Sequence, residues 1–236
     1  LSEAAEPELR AAKVAQWLEI LERELDNLRS AMEWSLENEP QTALGIVGAI
    51  RSFWIRRGYL SEGGKWRRAA LERNGEEADA KLRAKAYVGL GSFSRFQGDM
   101  KSADLFYEKS LRLAREINNK FWISVALGEL GLVKFMRGEV TEGKALIEES
   151  LEIARQLNDR RLISIRLNTL GELARQQEDT EAARKYYEEA LAIAREESSK
   201  YLIPVYTFNL ASIACLQGDY NSALSYALES LEVDVE

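Results

Sequence analysis

Leu90-Gly91-Ser92-Phe93-Ser94-Arg95-Phe96-Gln97-Gly98-Asp99 is the stretch that decides the fold, because its landmarks return at a fixed step. The Leu-small pair recurs as Leu130-Gly131, Leu170-Gly171 and Leu210-Ala211, each 40 residues after the last. The turn keeps the same step in Arg137-Gly138-Glu139, Gln177-Glu178-Asp179 and Gln217-Gly218-Asp219, and one period earlier in Arg57-Gly58-Tyr59. A constant interval of this size means that one supersecondary unit is copied and stacked, so the chain reads as an extended α-solenoid.

Other columns keep the register. Ile50, Leu90, Leu130, Leu170 and Leu210 fill one, Phe53, Phe93, Val133, Leu173 and Ile213 a second, and Leu71, Leu111, Leu151, Leu191 and Leu231 a third. Five repeats follow, at about 41–80, 81–120, 121–160, 161–200 and 201–236, behind an amino-terminal helical cap at 1–40. Together the repeats are expected to form one continuous domain. Each reads as two antiparallel helices: Tyr87, Leu90 and Phe93 follow helical spacing, as do Leu105, Phe106, Leu111 and Leu113 after the turn. Gly98 suits the left-handed residue that closes a helix, and Asp99 or Ser102 can cap the next. At the equivalent turn Glu178 replaces the glycine and is expected to be strained.

Small residues at Gly91, Gly131, Gly171 and Ala211, and at Ala103, Gly143, Ala183 and Ala223, are expected to let paired backbones approach closely. Tyr87, Leu90, Gly91, Ala103, Tyr107 and Ser110 resemble the tetratricopeptide signature of a large residue, Leu-Gly, Ala, an aromatic and Ala. The resemblance spans Gln41 to Glu236, with a repeat six residues longer than the usual 34. It implies an all-α, tetratricopeptide-like right-handed α-solenoid of antiparallel helix pairs.

Upstream, Pro7 can occupy a first helical turn, with Leu9, Val14, Trp17, Leu18 and Leu21 as an apolar stripe. A second stripe runs through Leu25, Leu28, Met32, Trp34 and Leu36 to Pro40. Glu24-Leu25-Asp26-Asn27 reads either as a turn, with Asp26 as its cap, or as part of one helix. Either way the segment is expected to cover the open end of the first repeat. The stretches Trp17 to Ala31 and Phe53-Trp54-Ile55-Arg56-Arg57-Gly58-Tyr59-Leu60-Ser61-Glu62-Gly63 look like the start of the helical-repeat region of bacterial STAND-class signalling ATPases. The resemblance, over about Ala15 to Leu71, implies a parent with a nucleotide-binding module and a winged helix, and in many cases a DNA-binding transcription-factor domain. The chain begins at Leu1 without an initiator Met and stops within a helix stripe at Glu236, so we expect an excised piece of a longer protein.

Composition narrows the function. A net charge of −7 among 236 residues, with a pI near 5.1, disfavours a phosphate-holding surface, so no direct nucleic-acid contact is expected. One cysteine excludes an internal disulfide and suggests a cytoplasmic setting. The uncharged run Tyr201 to Leu216 falls in register as a repeat helix and is too short to span a membrane, which needs roughly 18 or more apolar residues. With no histidine in the chain, His-based triads, His metal sites and imidazole acid-base catalysis are excluded. Glu62-Gly63-Gly64-Lys65 lacks the strand and the hydroxyl residue of a phosphate loop and reads as a helix start. Glu148-Glu149 and Glu188-Glu189 read as solvated outer faces, Cys215 as packing, and Trp17, Trp34, Trp54, Trp66 and Trp122 as core or cap. No enzyme activity, cofactor or metal is expected.

What remains is the face lined by the first helices, the concave groove of the resembled family. With that family's geometry, Ile55, Arg95, Phe135, Arg175 and Cys215 face inward, flanked by Ser52, Ser92, Leu132, Glu172 and Ser212 and by Asn168 and Asn209. Arg95 and Arg175 around Phe135 suit an acidic, apolar-containing peptide. The Lys and Asn arrangement with which chaperone-binding relatives clamp a terminal carboxylate does not occur in register. The leading expectation is a non-catalytic protein-interaction or sensing region of a STAND-type regulator. A freestanding scaffold joining two partners and a small-molecule effector domain are the alternatives.

Overall fold

The computed structural model describes residues 1–9 and 13–234, with side chains through Leu231. The described residues form fourteen helices and no strand. They are α1 (Ser2–Glu8), α2 (Val14–Arg23), α3 (Leu25–Asn38), α4 (Pro40–Ala49), α5 (Arg51–Arg56), α6 (Leu60–Asn74), α7 (Ala80–Phe96), α8 (Met100–Glu116), α9 (Lys120–Met136), α10 (Val140–Gln156), α11 (Arg160–Gln176), α12 (Thr180–Glu196), α13 (Leu202–Leu216) and α14 (Tyr220–Asp234). The chain divides into two compact units, Leu1–Val133 and Lys134–Glu236, with the division inside α9. In the first, α7 packs on α8 and α4 on α6 and α7; in the second, α10 to α14 pack in succession.

The repeat period comes from the turns. Each of α7 to α12 is 17 residues long, and the breaks between them are three residues each. Within a pair the break carries Gly98, Gly138, Glu178 or Gly218 at positive φ, and between pairs Asn118, Asn158 or Ser198. The residue after the left-handed one bonds back into the helix, as in Asp99 N to Ser94 O at 2.9 Å and Asp159 N to Ala154 O at 3.1 Å. This closes the exposed carbonyl end. The same residue often caps the next helix: Asp99 accepts from Ser102 N, Asp159 from Leu162 N, Asp179 from Ala182 N and Asp219 from Ser222 N. Asp99 and Asp219 are thereby held below the usual carboxylate range by their bonds to Ser102 and Ser222.

The first two apolar columns are buried from end to end, from Ile50 through Leu210 and from Phe53 through Ile213. In the third column Leu111, Leu151 and Leu191 are buried, whereas Leu231 is 63% exposed. In the second unit Phe208, Leu216, Tyr220, Leu224 and Leu228 also stand exposed, giving α13 and α14 an uncovered apolar stripe.

The small-residue column works differently from the sequence expectation. A side chain at Gly91 would meet the Tyr107 ring at 2.6 Å, and one at Gly171 the Tyr187 ring at 2.6 Å. These glycines make room for a tyrosine from the paired helix rather than for a backbone. Arg67 of α6 holds the tyrosine's place in the first repeat. Fully buried, it donates to the Val47 carbonyl and lies 5.2 Å from the Phe93 ring centre, while its Nε and one terminal nitrogen have no hydrogen-bond partner. Desolvation, helped by the charge of Arg51, pulls its pKa down to about 9.

Several local expectations are corrected. Pro7 lies near the end of α1 rather than opening a helix, so the stripe from Leu9 to Leu21 is not continuous; α2 starts at Val14. The interruption at Glu24-Asn27 is confined to Glu24, while Asp26 sits inside α3 and pairs with Arg29 rather than capping. The first helix of the first repeat is broken at Ile50, where the backbone leaves helical geometry between α4 and α5. Leu105 is exposed and Tyr107 takes the buried place beside it. Trp34 is exposed, unlike the buried Trp54 and Trp122. Cys215 is exposed as well, so the packing expected of it is not made among the described residues. The Glu62-Gly63-Gly64-Lys65 run does open a helix, and Gly63 leaves space for the Trp54 ring.

Glu178 adopts φ +62°, where Gly98, Gly138 and Gly218 stand in the other repeats. A left-handed conformation costs a side-chain-bearing residue about 1–2 kcal/mol, part of which glycine's flexibility in the unfolded chain takes back. Glu178→Gly should therefore raise stability by about 1 kcal/mol, seen as a higher melting temperature, with Gly98→Ala moving it the opposite way.

Candidate functional site

Arg95 lies in the last turn of α7, three residues before the Gly98 break. It lies 4.5 Å from the Phe96 ring centre and 4.0 Å from Glu129 of α9, while its buried Nε has no hydrogen-bond partner. Burial works against its charge, but Glu129 and Tyr107 outweigh that and raise its pKa. The Tyr107 hydroxyl reaches Ser92 Oγ at 3.2 Å and Glu129 Oε2 at 3.4 Å, with one proton to serve either. Ser92 accepts from Arg51 at 3.0 Å and donates to the Val88 carbonyl at 2.9 Å. Burial, and then the Glu129 charge, push the Tyr107 phenol above its ordinary range, so it stays a donor.

The second unit carries the same residue types in a tighter form. Glu172, one turn before Arg175 on α11, accepts two bonds from its guanidinium, at 2.6 and 3.0 Å. Tyr187 of α12 donates to Glu172 at 3.0 Å and Gln176 donates at 3.1 Å. Burial pushes the Glu172 carboxyl up, but Arg175, Gln176 and Tyr187 together prevail and hold it below the usual carboxylate range. The Arg175 charge is therefore already met within the chain. Asn209 Nδ2 donates to Asn168 Oδ1 at 2.8 Å, so these two amides join α13 to α11. Phe135, expected as an open apolar contact, is 8% exposed and belongs to the core cluster with Leu167, Leu170 and Tyr187.

Of the residues singled out from the sequence, the structure joins Glu172 to Arg175 and Asn168 to Asn209, and leaves Arg95 the less completely paired arginine. Glu129, Tyr187 and Arg51 escaped the sequence reading, which took Tyr107 only as part of the repeat signature. One signal was available: in the column Arg67, Tyr107, Ile147, Tyr187 and Ala227 a hydroxyl-bearing ring recurs where a purely apolar residue would fill the space. Glu129 has no such signal, since its role depends on which side of α9 meets α7. Among the described residues no cluster of Cys, Asp and Glu is arranged to hold a metal ion, and no helix is long and apolar enough to cross a membrane.

The tetratricopeptide repeat family matches this chain twice, over residues 84–117 and over residues 122–196. No curated protein is similar enough in sequence to count as a relative. Among solved structures, BtubC from P. vanneervenii is 19% identical with a TM-score of 0.72, covering 91% of each chain. A Rap protein complexed with competence and sporulation factor is 14% identical with a TM-score of 0.73, over 98% of this chain and 76% of that one. A STAND protein with a tetratricopeptide repeat sensor from Pyrococcus horikoshii is 17% identical with a TM-score of 0.68; the match takes in 98% of this chain and 36% of that one. At these identities the likeness establishes the fold, an all-α tetratricopeptide-like α-solenoid, and the chain carries tetratricopeptide repeats.

The depressed Glu172 pKa gives a pH signature. Its contribution to stability is present above the carboxyl's unfolded value, near pH 4.3, and is lost as the pH falls through the lower folded value. Glu172→Gln should lower the melting temperature at neutral pH and flatten the loss of stability below about pH 4.3, as followed by thermal melts across an acid series.

Proposed function

We propose that the chain is a non-catalytic protein-interaction region whose first-helix face takes an acidic peptide segment, and that it serves as the sensor portion of a STAND-type regulator. Arg95 carries this reading. Its guanidinium lies on an exposed phenylalanine, its nearest carboxylate is at 4.0 Å, and a buried donor is left over. An incoming carboxylate would complete the pairing of a guanidinium whose terminal nitrogen stands 4.0 Å from Glu129. Arg's planar fork suits that partner, and exposed Phe96 beside it supplies apolar contact.

Arg175 and Glu172, with Asn168 and Asn209, form a second polar row on the corresponding face of the other unit. In this reading they position that face, because their charges and amides already pair with one another. Phe135 supports the row from within the core. The chain's net charge of −7 disfavours acidic ligands over most of the surface and leaves the arginine-bearing face as the favoured place. The lack of any histidine supports a binding role over catalysis. The solved Rap structure named above is described as complexed with a factor, and the Pyrococcus protein as having a tetratricopeptide repeat sensor. Both descriptions are compatible with this reading.

Peptide display against the immobilised chain tests it. The selected sequences should be rich in Asp and Glu with an apolar residue nearby. Arg95→Glu should weaken the best of them by tenfold or more, and Arg175→Glu by less, with helicity intact. Undiminished binding to Arg95→Glu would remove the proposal.

A further inference from the structure

The first-helix face of the first unit already carries a ligand-like segment of the chain itself. The stretch Leu1-Ser2-Glu3-Ala4-Ala5-Glu6-Pro7-Glu8-Leu9 has three carboxylates and no basic residue. Its helix α1 packs on α4, with Ala5 fully buried and Leu9 3% exposed. Glu6 reaches across to Lys85 of α7, with both carboxylate oxygens 2.5–2.6 Å from Nζ. The two partners are 79 residues apart and both are partly buried.

Lys85 is itself a departure from the repeat. Its column reads Gly45, Lys85, Val125, Ile165 and Val205, so a charge replaces a small or apolar residue at the point where α1 lands. Gly48 makes room for it, since a side chain there would sit 3.1 Å from the lysine stem. Beside Glu6 opens a cleft of about 430 Å³, lined by Lys81, Lys85, Leu82, Asn119, Phe121 and Trp122. The segment thus fills only part of a site that has a second lysine and two aromatic rings to offer. An isolated seven-residue helix is marginal in water, so α1 owes its form to this docking.

We infer that α1 is a displaceable occupant held in cis, and that the site between α4 and α7 takes an acidic helical peptide in trans with apolar anchors four residues apart, as Ala5 and Leu9 are. This deepens the proposed peptide-binding function and rests on it. The competition is set by effective concentration. A tethered segment faces its site at roughly millimolar concentration, so a weak intrinsic contact suffices to keep the site closed until a better acidic ligand arrives.

The test uses the full chain, isotopically labelled, titrated to millimolar levels with a synthetic peptide of residues 1–9. Glu6→Lys places like charges together and should release α1; Leu9→Asp is a second route to the same open form. In either variant the peptide should shift the Lys85 and Gly48 amide signals, with an affinity at least tenfold above that for the unaltered chain. Adding Lys85→Glu to the Leu9→Asp variant, where no reversed ion pair can re-form with Glu6, should abolish the effect. Equal binding to closed and open forms, no binding to an open variant of unchanged helicity, or indifference to Lys85→Glu would each overturn the inference. The Arg95 variants separate the two ideas: display ligands that depend on Arg95, alongside a peptide 1–9 that never binds, would discard the cis occupant and retain the peptide-binding face.

Discussion

Two left-handed residues in every 40 set the frame of this protein. From α7 through α12 a helix runs for 17 residues, one residue is forced to positive φ, and the chain reverses into the next helix. Helix length, and hence which side chains reach a neighbour, follows from that spacing. The apolar columns stay in register from α7 through α12 because each reversal between those helices takes three residues. Where the turn residue is glycine the geometry is free of steric cost. Glu178 shows that the surrounding packing can impose the same conformation on a residue that resists it.

This is also why so much of the fold could be read in advance. Periodic Gly-Asp turns and Leu columns are local signals, and Leu90, Leu130, Leu170 and Leu210 are buried as the period requires. The site was less legible because it depends on contacts between elements. Arg95 and Arg175 occupy the same column, yet one faces a carboxylate from the next repeat's helix and the other a carboxylate from its own. Nothing in a column of residue types tells an arginine which carboxylate it will meet. Phe135 marks the same limit: its column also holds polar residues, but its ring belongs to the core. The amino-terminal segment obeys no period at all, so the separation of α1 from α2 and the reach of Glu6 to Lys85 had no pattern to announce them.

The tyrosine column links packing to electrostatics. Tyr107 and Tyr187 each fill the space above a glycine and end in a hydroxyl aimed at a carboxylate that an arginine also approaches. One residue therefore sets both the distance between paired helices and the orientation of the charges on their face. Arg67, in the same column, keeps the volume and loses the hydroxyl, and no carboxylate satisfies it. The first repeat thus carries the cost of a buried cation at a place where the second and fourth carry a hydrogen-bonded ring.

The uncovered stripe on α13 and α14 has a consequence for how the second unit comes apart. In a stacked array each layer is stabilised by its own helices and by the neighbours on either side, and a layer whose outer apolar face is bare lacks part of that support. Leu224, Leu228 and Leu231 stand in water, so α14 gains little from its apolar residues, while Leu191 of α12 sits against a full set of neighbours. Opening is therefore graded along the chain: amide hydrogens of α14 exchange first, those of α13 next, and those around Leu170 and Tyr187 last. The polar row that includes Glu172 and Arg175 lies behind that gradient, on the part of the unit that opens least readily.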